Sequence, residues 1–318
     1  MIDLKNKKII LTGGNGFLGS FIKKKLLERG CSSIFIPKHR DYDLTEIDSV
    51  KRLFTQNPAD IVIHAAGDVG GIGYSRTYPA TQFYNNLMMN TLVMDQAYKH
   101  GVEKFVGIGT VCSYPKYTDV PFQEDDLWNG YPEETNAAYG LAKKMMLVQG
   151  QAYRQQYGFN AIHLLLINLY GPGDNFDPKS SHVIPAMIQK ILDVKEKGKK
   201  SVEVWGTGSA SREFVFVEDA AEGIVKATEM YDKADPVNIG ADSEISIKDL
   251  IVLLMSILNV QAELVWDTTK PDGQPRRRLD LTRAKASFDF EPKVSLEEGL
   301  RRTIDWWLSI RNKEENDK

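Results

Sequence analysis

Cysteine is scarce in this chain, and neither sign of charge is in large excess. The 318 residues include two cysteines, Cys31 and Cys112, and the formal net charge is -3 at pH 7. Two cysteines are too few for a disulfide framework, and no Cys/His spacing matches a metal site. The small net charge gives no reason to expect a nucleic-acid or membrane partner.

Long apolar runs are also missing. The N-terminal region contains no stretch with the length and apolarity of a signal peptide or a membrane-spanning helix. Together with the low cysteine content, this predicts a cytoplasmic protein. The length suits one large domain or two fused domains, and it is enough to bury a substantial core.

Short apolar runs alternate with amphipathic ones in the first half of the chain, and this alternation predicts an α/β fold with a Rossmann-type doubly wound parallel sheet. From Pro172 onward, loops and shorter elements predict a smaller α/β C-terminal domain. We assign 1–172 to a dinucleotide-binding domain to which 213–241 returns, and 173–212 with 242–318 to the smaller domain. Strands are expected at 7–11, 33–36, 60–65, 104–110, 161–166, 214–217 and 237–240, and helices at 17–28, 47–55, 80–99, around 139 and at 296–310, before a frayed charged tail at 311–318.

A glycine-rich turn separates the first strand from the first helix. Gly13, Gly16 and Gly19 are spaced three residues apart, in the strand–turn–helix context that makes a glycine motif informative. Gly13 permits a tight turn, Gly16 lets the backbone approach a pyrophosphate, and Gly19 lets the helix pack close to the sheet. The N–H groups at the start of the helix would then face the anion. This pattern predicts a dinucleotide site.

Tyr139 and Lys143 lie four residues apart in a segment rich in Ala, Leu, Lys and Met, which predicts a helix. Residues at positions i and i+4 share one helix face, so the phenol and the ammonium should point the same way. A nearby positive charge lowers the pKa of a phenol. The pair is therefore expected to donate or accept a proton near neutral pH.

The two motifs, with Thr110 at the end of another apolar strand, resemble the extended short-chain dehydrogenase/reductase superfamily. Further blocks are similar to the GDP-L-fucose synthase family over nearly the whole chain. That resemblance implies NADP(H), a GDP-linked 4-keto-6-deoxy-hexose, and two successive steps, 3,5-epimerisation and reduction at C4. It also makes the smaller domain a nucleotide-sugar domain. The blocks lie at 69–72, 112–116, 168–172, 174–176, 181–185, 204–208, 212–214 and 270–273.

The second strand ends in basic residues, Lys38 and Arg40, where a fold that binds NAD needs an acidic one. Basic side chains suit a 2′-phosphate, and the resemblance places a phosphate-binding arginine at Arg40. Asn15 departs from the family, which often has arginine in the glycine loop. We predict NADP(H) as the cofactor. The predicted cofactor-binding residues are Gly13, Asn15, Gly16, Phe17, Leu18, Gly19, Lys38, Arg40, Asp43, Leu44, Ala65, Ala66, Lys143, Asn168, Leu169 and His182.

The resemblance also implies catalytic roles. Thr110 stands where the family has a serine that bonds the substrate oxygen, Tyr139 would protonate the C4 oxygen, and Lys143 would hold the ribose and lower the pKa of the tyrosine. Because a ketone at C4 acidifies the hydrogens at C3 and C5, epimerisation needs a base on one face and an acid on the other. Cys112 is the predicted base and His182 the predicted acid.

The substrate side follows from the same resemblance, because cationic groups suit a diphosphate and an indole can stack on a base. Two departures from the family, Asp68 for lysine and Val111 for serine, fall near the expected sugar pocket. A GDP-heptose, or a substrate that a partner protein has already epimerised, therefore remains open, as does reduction without epimerisation. The predicted substrate-binding residues are Asn168, Lys190, Trp205, Arg212, Lys270 and Asp272.

Other classes of protein on this fold are less well supported. Nucleotide-sugar dehydratases carry Asp-Glu after the threonine, where this chain has Val111 and Cys112. A non-catalytic nucleotide-binding scaffold tends to lose the tyrosine or the lysine, and both are present. The family pairs through two long helices per subunit, here 80–99 and 139–157. Apolar Leu147 and Val148, with Tyr153, lie on the second of these, which predicts a homodimer.

Overall fold

The computed structural model describes residues 1–178, 180–270 and 272–316. Pro271 of the block at 270–273 lies outside the described residues. Short strands alternate with helices through the first two thirds of the described chain. The strands are β1 (Lys8–Thr12), β2 (Ser33–Phe35), β3 (Ile61–His64), β4 (Lys104–Thr110), β5 (Ala161–Leu166), β6 (Asn168–Tyr170), β7 (Ser201–Trp205), β8 (Ser211–Arg212), β9 (Phe214–Phe216), β10 (Val237–Ile239), β11 (Ile245–Ser246), β12 (Glu263–Asp267) and β13 (Arg276–Arg277).

The helices begin directly after the glycine turn and continue to the end of the described chain. Two 3₁₀ turns, Val111–Ser113 and Glu124–Trp128, lie between the fourth and fifth helices. The helices are α1 (Phe17–Glu28), α2 (Ile47–Gln56), α3 (Ile72–Thr77), α4 (Pro79–Lys99), α5 (Ala137–Tyr157), α6 (Val183–Glu196), α7 (Val217–Met230), α8 (Ile247–Leu258), α9 (Thr282–Phe288) and α10 (Leu296–Asn316).

A six-stranded sheet with the order β10-β5-β4-β3-β1-β2 forms the centre of the molecule, and all its pairings are parallel. Every residue of β3, β4 and β5 is buried. Parallel strands covered by helices on both faces read as continuous apolar runs, which is why these strands stand out in the sequence. The doubly wound parallel sheet predicted from the sequence is confirmed.

Two apolar layers cover the faces of this sheet. One includes Ile22 and Leu26 of α1 with Ile224 of α7, and the other includes Leu53 of α2 with Val93 of α4. α4 and α5 lie side by side on the second face. Packing on both faces fixes the positions of the carboxyl ends of the strands along one edge of the sheet.

The C-terminal part has a third core, formed by α6, α8 and α10 with the parallel pair β7–β12. Two further small sheets are separate from the central one: β6 pairs with β9, and β8 pairs with β11 and β13. β10 lies within the central sheet, beside β5. The C-terminal core lies at the carboxyl edge of the sheet, since Lys190 of α6 and Trp205 of β7 line the same cavity as Thr110 at the end of β4.

The helices α6, α7 and α8 occupy regions where the sequence analysis expected loops and short elements. Apolar contacts to the sheet and to the third core stabilise them. The frayed tail was expected from Arg311, but α10 continues to Asn316; the last two residues of that tail lie outside the described range. Within the described residues, no helix is both long and apolar enough to cross a membrane.

Candidate active site

A large cavity of about 1240 Å³ lies between the carboxyl edge of the sheet and the C-terminal core. The register places Thr12 beside His64 and Thr110 beside Leu166 at this edge. Ligands of open α/β sheets bind at this end of the strands. Of the predicted site residues, those that line the cavity are Gly13, Asn15, Gly16, Phe17, Leu18, Gly19, Lys38, Asp43, Leu44, Ala65, Ala66, Thr110, Cys112, Tyr139, Lys143, Asn168, Leu169, His182, Lys190, Trp205, Arg212 and Asp272.

The glycine turn forms one end of the cavity. Gly13 has φ of 70°, and a Cβ atom there would lie 2.8 Å from the Ala65 carbonyl carbon. A Cβ atom on Gly19 would lie 2.1 Å from the Gly13 oxygen. No side chain caps the start of α1, so its first N–H groups remain available. These features fit a dinucleotide pyrophosphate.

The segment after β2 meets the prediction only in part. Lys38 lines the cavity, and so does Asp43, whose pKa is lowered by hydrogen bonds from the Thr45 hydroxyl and backbone. Arg40 does not line it: its side chain is 77% exposed and lies 3.4 Å from Asp41. The Asp41 amide donates to the Lys38 carbonyl at 3.0 Å, and this turn directs Arg40 outward.

Tyr139 and Lys143 share one face of α5, as predicted, and both line the cavity. The buried Lys143 ammonium donates to the Ala66 carbonyl at 3.3 Å, and burial lowers its pKa to about 8. The expectation that Lys143 lowers the pKa of Tyr139 is wrong for this structure. Burial, followed by the nearby Cys112, raises the pKa of Tyr139, and the hydrogen bond with Thr110 opposes this only in part. Tyr139 is therefore protonated at neutral pH.

Thr110 and Cys112 are fixed by a tight turn at the end of β4. The Thr110 hydroxyl accepts a hydrogen bond from the Cys112 amide at 3.2 Å and caps the turn Val111–Ser113. α5 packs directly on this turn, because a Cβ atom on Gly140 would lie 2.1 Å from the Cys112 oxygen. This packing sets Thr110 and Cys112 beside the face of α5 that carries Tyr139 and Lys143.

His182 approaches from the opposite wall. It immediately precedes α6, is exposed to the cavity, and has a lowered pKa because the surrounding walls partly remove it from solvent. The segment 67–71 spans the distance between the two walls. A Cβ atom on Gly67 would lie 3.3 Å from the Lys143 ammonium, and the Gly71 amide donates to the Ser180 carbonyl at 3.1 Å. The base and acid predicted for epimerisation thus open on one cavity.

The other end of the cavity carries an exposed indole between two ammonium groups. Trp205 is 58% exposed, and the ammonium nitrogens of Lys190 and Lys270 lie 5.8 and 5.6 Å from its ring centroid. Arg212 donates to the Asp272 carbonyl at 3.1 Å, and burial lowers its pKa to about 10. Lys270 does not line the cavity itself. This end suits a base with a diphosphate.

The charged residues that line the cavity without having been predicted as site residues include Glu133 and Arg277, and both are buried. Glu133 accepts a hydrogen bond from the Asn136 amide at 3.2 Å, and Arg277 donates to the Cys112 sulfur at 3.8 Å. Arg277 is the middle member of three consecutive arginines. That cluster was the available signal, but it does not reveal which arginine faces inward.

Comparison with known proteins assigns the family. The sequence model of the NAD dependent epimerase/dehydratase family matches residues 9–240. The chain belongs to this family. Within it, GDP-L-fucose synthase 1 of Arabidopsis thaliana is 41% identical over 304 residues, which cover 96% of this chain and 94% of that protein. The resemblance to GDP-L-fucose synthases drawn from the motifs is confirmed.

Two solved structures share the fold over nearly the whole chain. A GDP-mannoheptose C4 reductase from Campylobacter jejuni with NADP bound has a TM-score of 0.86 and 27% identity, covering 96% of this chain and 99% of that one. A GDP-6-OMe-4-keto-L-xylo-heptose reductase from C. jejuni has a TM-score of 0.90 and 27% identity, with the same coverage.

The two departures from the GDP-L-fucose synthase pattern, Asp68 and Val111, both line the cavity. The Asp68 carboxylate accepts from the Tyr74 hydroxyl at 2.7 Å and from the Asn85 amide at 2.9 Å. Val111 is 3% exposed and belongs largely to the core. Asp68 is thus the departure that presents a polar group to a ligand in this epimerase/dehydratase-family cavity.

Proposed function

We propose that the protein is an NADPH-dependent enzyme that reduces the C4 ketone of a GDP-4-keto-6-deoxy sugar and couples this to 3,5-epimerisation. The observation that carries the proposal is the convergence of Thr110, Cys112, Tyr139, Lys143 and His182 on the cavity that also contains the glycine turn. The similarity to a GDP-L-fucose synthase and to a structure with NADP bound supports it.

The reduction step uses Tyr139 as a proton donor. NADPH, when bound, supplies the hydride. Since the pKa of Tyr139 is raised by burial, its phenol carries a proton at neutral pH and can transfer it to the C4 oxygen. Lys143, with a pKa of about 8, remains mostly cationic and suits the cofactor ribose. Thr110 orients the substrate oxygen.

Epimerisation uses Cys112 as the base and His182 as the acid. The thiolate of Cys112 takes the proton from carbon next to the ketone, so that a C–H bond breaks, an S–H bond forms and the electron pair moves to the C4 oxygen. His182 returns a proton to the opposite face. Because the pKa of His182 lies below its usual 6.5, its imidazolium form decreases as the pH rises toward neutrality. The contribution of His182 to the epimerisation rate should therefore fall as the pH rises through the acidic range toward neutrality.

A dedicated C4 reductase of a GDP-heptose is the second candidate. It is favoured by the TM-score of 0.90 to a GDP-keto-heptose reductase and by the Asp68 carboxylate in the cavity wall. A carboxylate accepts hydrogen bonds from sugar hydroxyls that a 6-deoxy sugar lacks. This candidate keeps the role of Tyr139 in reduction and removes the epimerase roles of Cys112 and His182.

A homodimer through α4 and α5 is part of the proposal. Exposed apolar side chains on these helices support it, including Phe83 and Tyr84 on α4 with Met145 and Val148 on α5. Leu147, which the sequence analysis placed on this surface, is 2% exposed and belongs to the core. The apolar surface available for pairing is therefore carried by Val148 and its exposed neighbours.

Deuterium exchange separates the two activities. With a GDP-4-keto-6-deoxy sugar in deuterated water, Tyr139→Phe should abolish NADPH oxidation but keep incorporation of deuterium at C3 or C5, because only the phenol oxygen is lost. Cys112→Ser should abolish exchange but keep hydride transfer to a pre-epimerised substrate, since a hydroxyl is a far weaker acid than a thiol. Cys31→Ser, at a buried cysteine remote from the cavity lining, is the matched control.

Wild-type protein that reduces the keto sugar without any exchange would exclude the epimerase role of Cys112 and His182. The dedicated reductase would then be the correct assignment. Absence of both exchange and NADPH oxidation would overturn the proposed function itself.

A further inference from the structure

Three consecutive arginines near the end of the cavity have different partners. Arg276 forms an ion pair with Glu244 at 2.5 Å, and Arg278 forms one with Asp242 at 2.6 Å. Arg277, between them, is 8% exposed and lines the cavity. Among the residues that the structure describes, no carboxylate forms an ion pair with Arg277. A buried guanidinium without a carboxylate is unusual, because burial of an unpaired charge is costly.

The partners of Arg277 are an amide and a sulfur. Its Nε donates to the Gln274 side-chain oxygen at 2.8 Å, and its Nη1 donates to the Cys112 sulfur at 3.8 Å. The Gln274 amide is itself fixed, since it donates to the Lys116 carbonyl at 2.8 Å and the Pro115 carbonyl at 3.3 Å. The guanidinium is therefore held in place by a fixed side-chain amide in addition to the sulfur.

A second cation adds to the positive field near the sulfur. After burial, the charge of Arg277 is the largest cause of the lowered pKa of Arg212, and Cys112 acts on Arg212 in the opposite direction. The three side chains therefore lie close enough to influence one another. Arg212 donates to backbone carbonyls of Ser211, Asp272 and Pro275, so its charge is not neutralised by a carboxylate among these contacts.

We propose that Arg277 is a positioning residue that holds Cys112 as a thiolate and orients its sulfur toward the cavity. A thiol is a weak acceptor, whereas a thiolate accepts a charge-assisted hydrogen bond, and cationic neighbours favour the thiolate form. The inference rests on the proposed use of Cys112 as a base. The Cys112 thiolate would be the counter-charge of the unpaired Arg277 guanidinium.

Alkylation of Cys112 by iodoacetamide tests this without substrate or NADPH. Cys31→Ala leaves Cys112 as the sole thiol, and Cys31 itself is fully buried. In that background, the rate of alkylation is followed by mass spectrometry from pH 5 to pH 10. The matched control is Arg276→Gln, which removes an arginine of the same strand that faces Glu244 instead.

Arg277→Gln should slow alkylation at pH 7 about tenfold and shift the midpoint of its pH profile upward by about one unit. Arg277→Lys keeps the positive charge but lacks the planar set of N–H donors of a guanidinium, so its pH profile should lie between those of the other two proteins. It serves as the test if the glutamine variant does not fold. Arg276→Gln should leave the profile unchanged. A profile for both Arg277 variants that matches the Cys31→Ala background overturns the inference.

Deuterium exchange with the keto sugar supplies a second readout. Arg277→Gln should lower the maximal exchange rate about tenfold with little change in KM, because the group that takes the proton is affected. A raised KM with an unshifted alkylation profile would mean that Arg277 binds the substrate instead, which contradicts the proposal. Since alkylation needs no substrate, its result does not depend on whether the proposed reaction is correct.

Discussion

Gly19 in the first turn of α1 provides a test of the glycine cradle. Replacing it by alanine adds one methyl group at a position 2.1 Å from the Gly13 oxygen and 2.6 Å from the Gly14 Cα. Ordinary contact begins at 3.4 Å, so the loop or the helix must move by about 1.3 Å relative to the other. Both clashing groups are backbone, and a side-chain rotation cannot relieve them.

The cost of such overpacking is about 1–3 kcal/mol. If the strain is released when the loop leaves the conformation that binds the pyrophosphate, the dissociation constant for NADPH should rise about 5- to 150-fold, at 1.4 kcal/mol for each factor of ten. Titration by the fluorescence of NADPH measures this directly. Ser20→Ala, at the next and exposed position of the same helix, is the matched control and should bind as the wild type does.

Strain that stays in the folded protein would instead lower its melting temperature. Gly19→Ala therefore has to change the NADPH dissociation constant, the melting temperature or both. A variant that matches the wild type in both measurements would refute the close packing of α1 against the glycine turn.

Removal of the cations after β2 should weaken the binding of NADPH more than that of NADH. Lys38→Ala should raise KM for NADPH about tenfold, and Arg40→Ala should raise it less, because the Arg40 side chain points outward. Equal effects on both cofactors would contradict the 2′-phosphate assignment. His64 and His163 are buried with pKa values lowered to about 3; because the unfolded chain protonates them below about pH 6.5, each should cost about 1.4 kcal/mol of unfolding free energy between pH 7.5 and pH 5.5. The Nε2 atom of His163 has no hydrogen-bond partner. By denaturant titration, His163→Leu should reduce the loss of unfolding free energy between pH 7.5 and pH 5.5 by about 1.4 kcal/mol. An unchanged pH dependence would refute this. Val148→Glu should convert the proposed dimer to a monomer by light scattering, and a wild-type monomer at micromolar concentration would exclude the dimer.

The central sheet could be predicted because its strands carry their own signal. β4 and β5 are buried along their whole length and are therefore largely apolar. α8 shows the limit of such reasoning. Ser246 accepts a hydrogen bond from the Asp249 amide and starts this helix, so a capping signal was present. The glycine- and aspartate-containing loops before it concealed that signal, and the packing of the third core fixes the helix.

In the site, too, features with a local sequence signal could be predicted and features set by tertiary packing could not. The glycine turn and the Tyr139–Lys143 spacing are local features of the sequence, and the parallel sheet brings both to one cavity. Arg277 could not be predicted, because its inward direction depends on the pairing of β13 with β8, which lies far away in sequence. The outward direction of Arg40 comes from a backbone turn that the residue types do not specify. The raised pKa of Tyr139 results from burial, which sequence spacing does not contain.

The central claim is hydride transfer from NADPH to C4 of a GDP-linked keto sugar. The direct measurement uses NADPH carrying deuterium at the transferable position of the nicotinamide, with GDP-4-keto-6-deoxy-mannose, and locates the label in the product by mass spectrometry and NMR. One deuterium bonded to C4 of a GDP-linked 6-deoxy-hexose is the predicted result. Product without deuterium at C4, or no oxidation of the cofactor with either this sugar or a GDP-keto-heptose, would contradict the account.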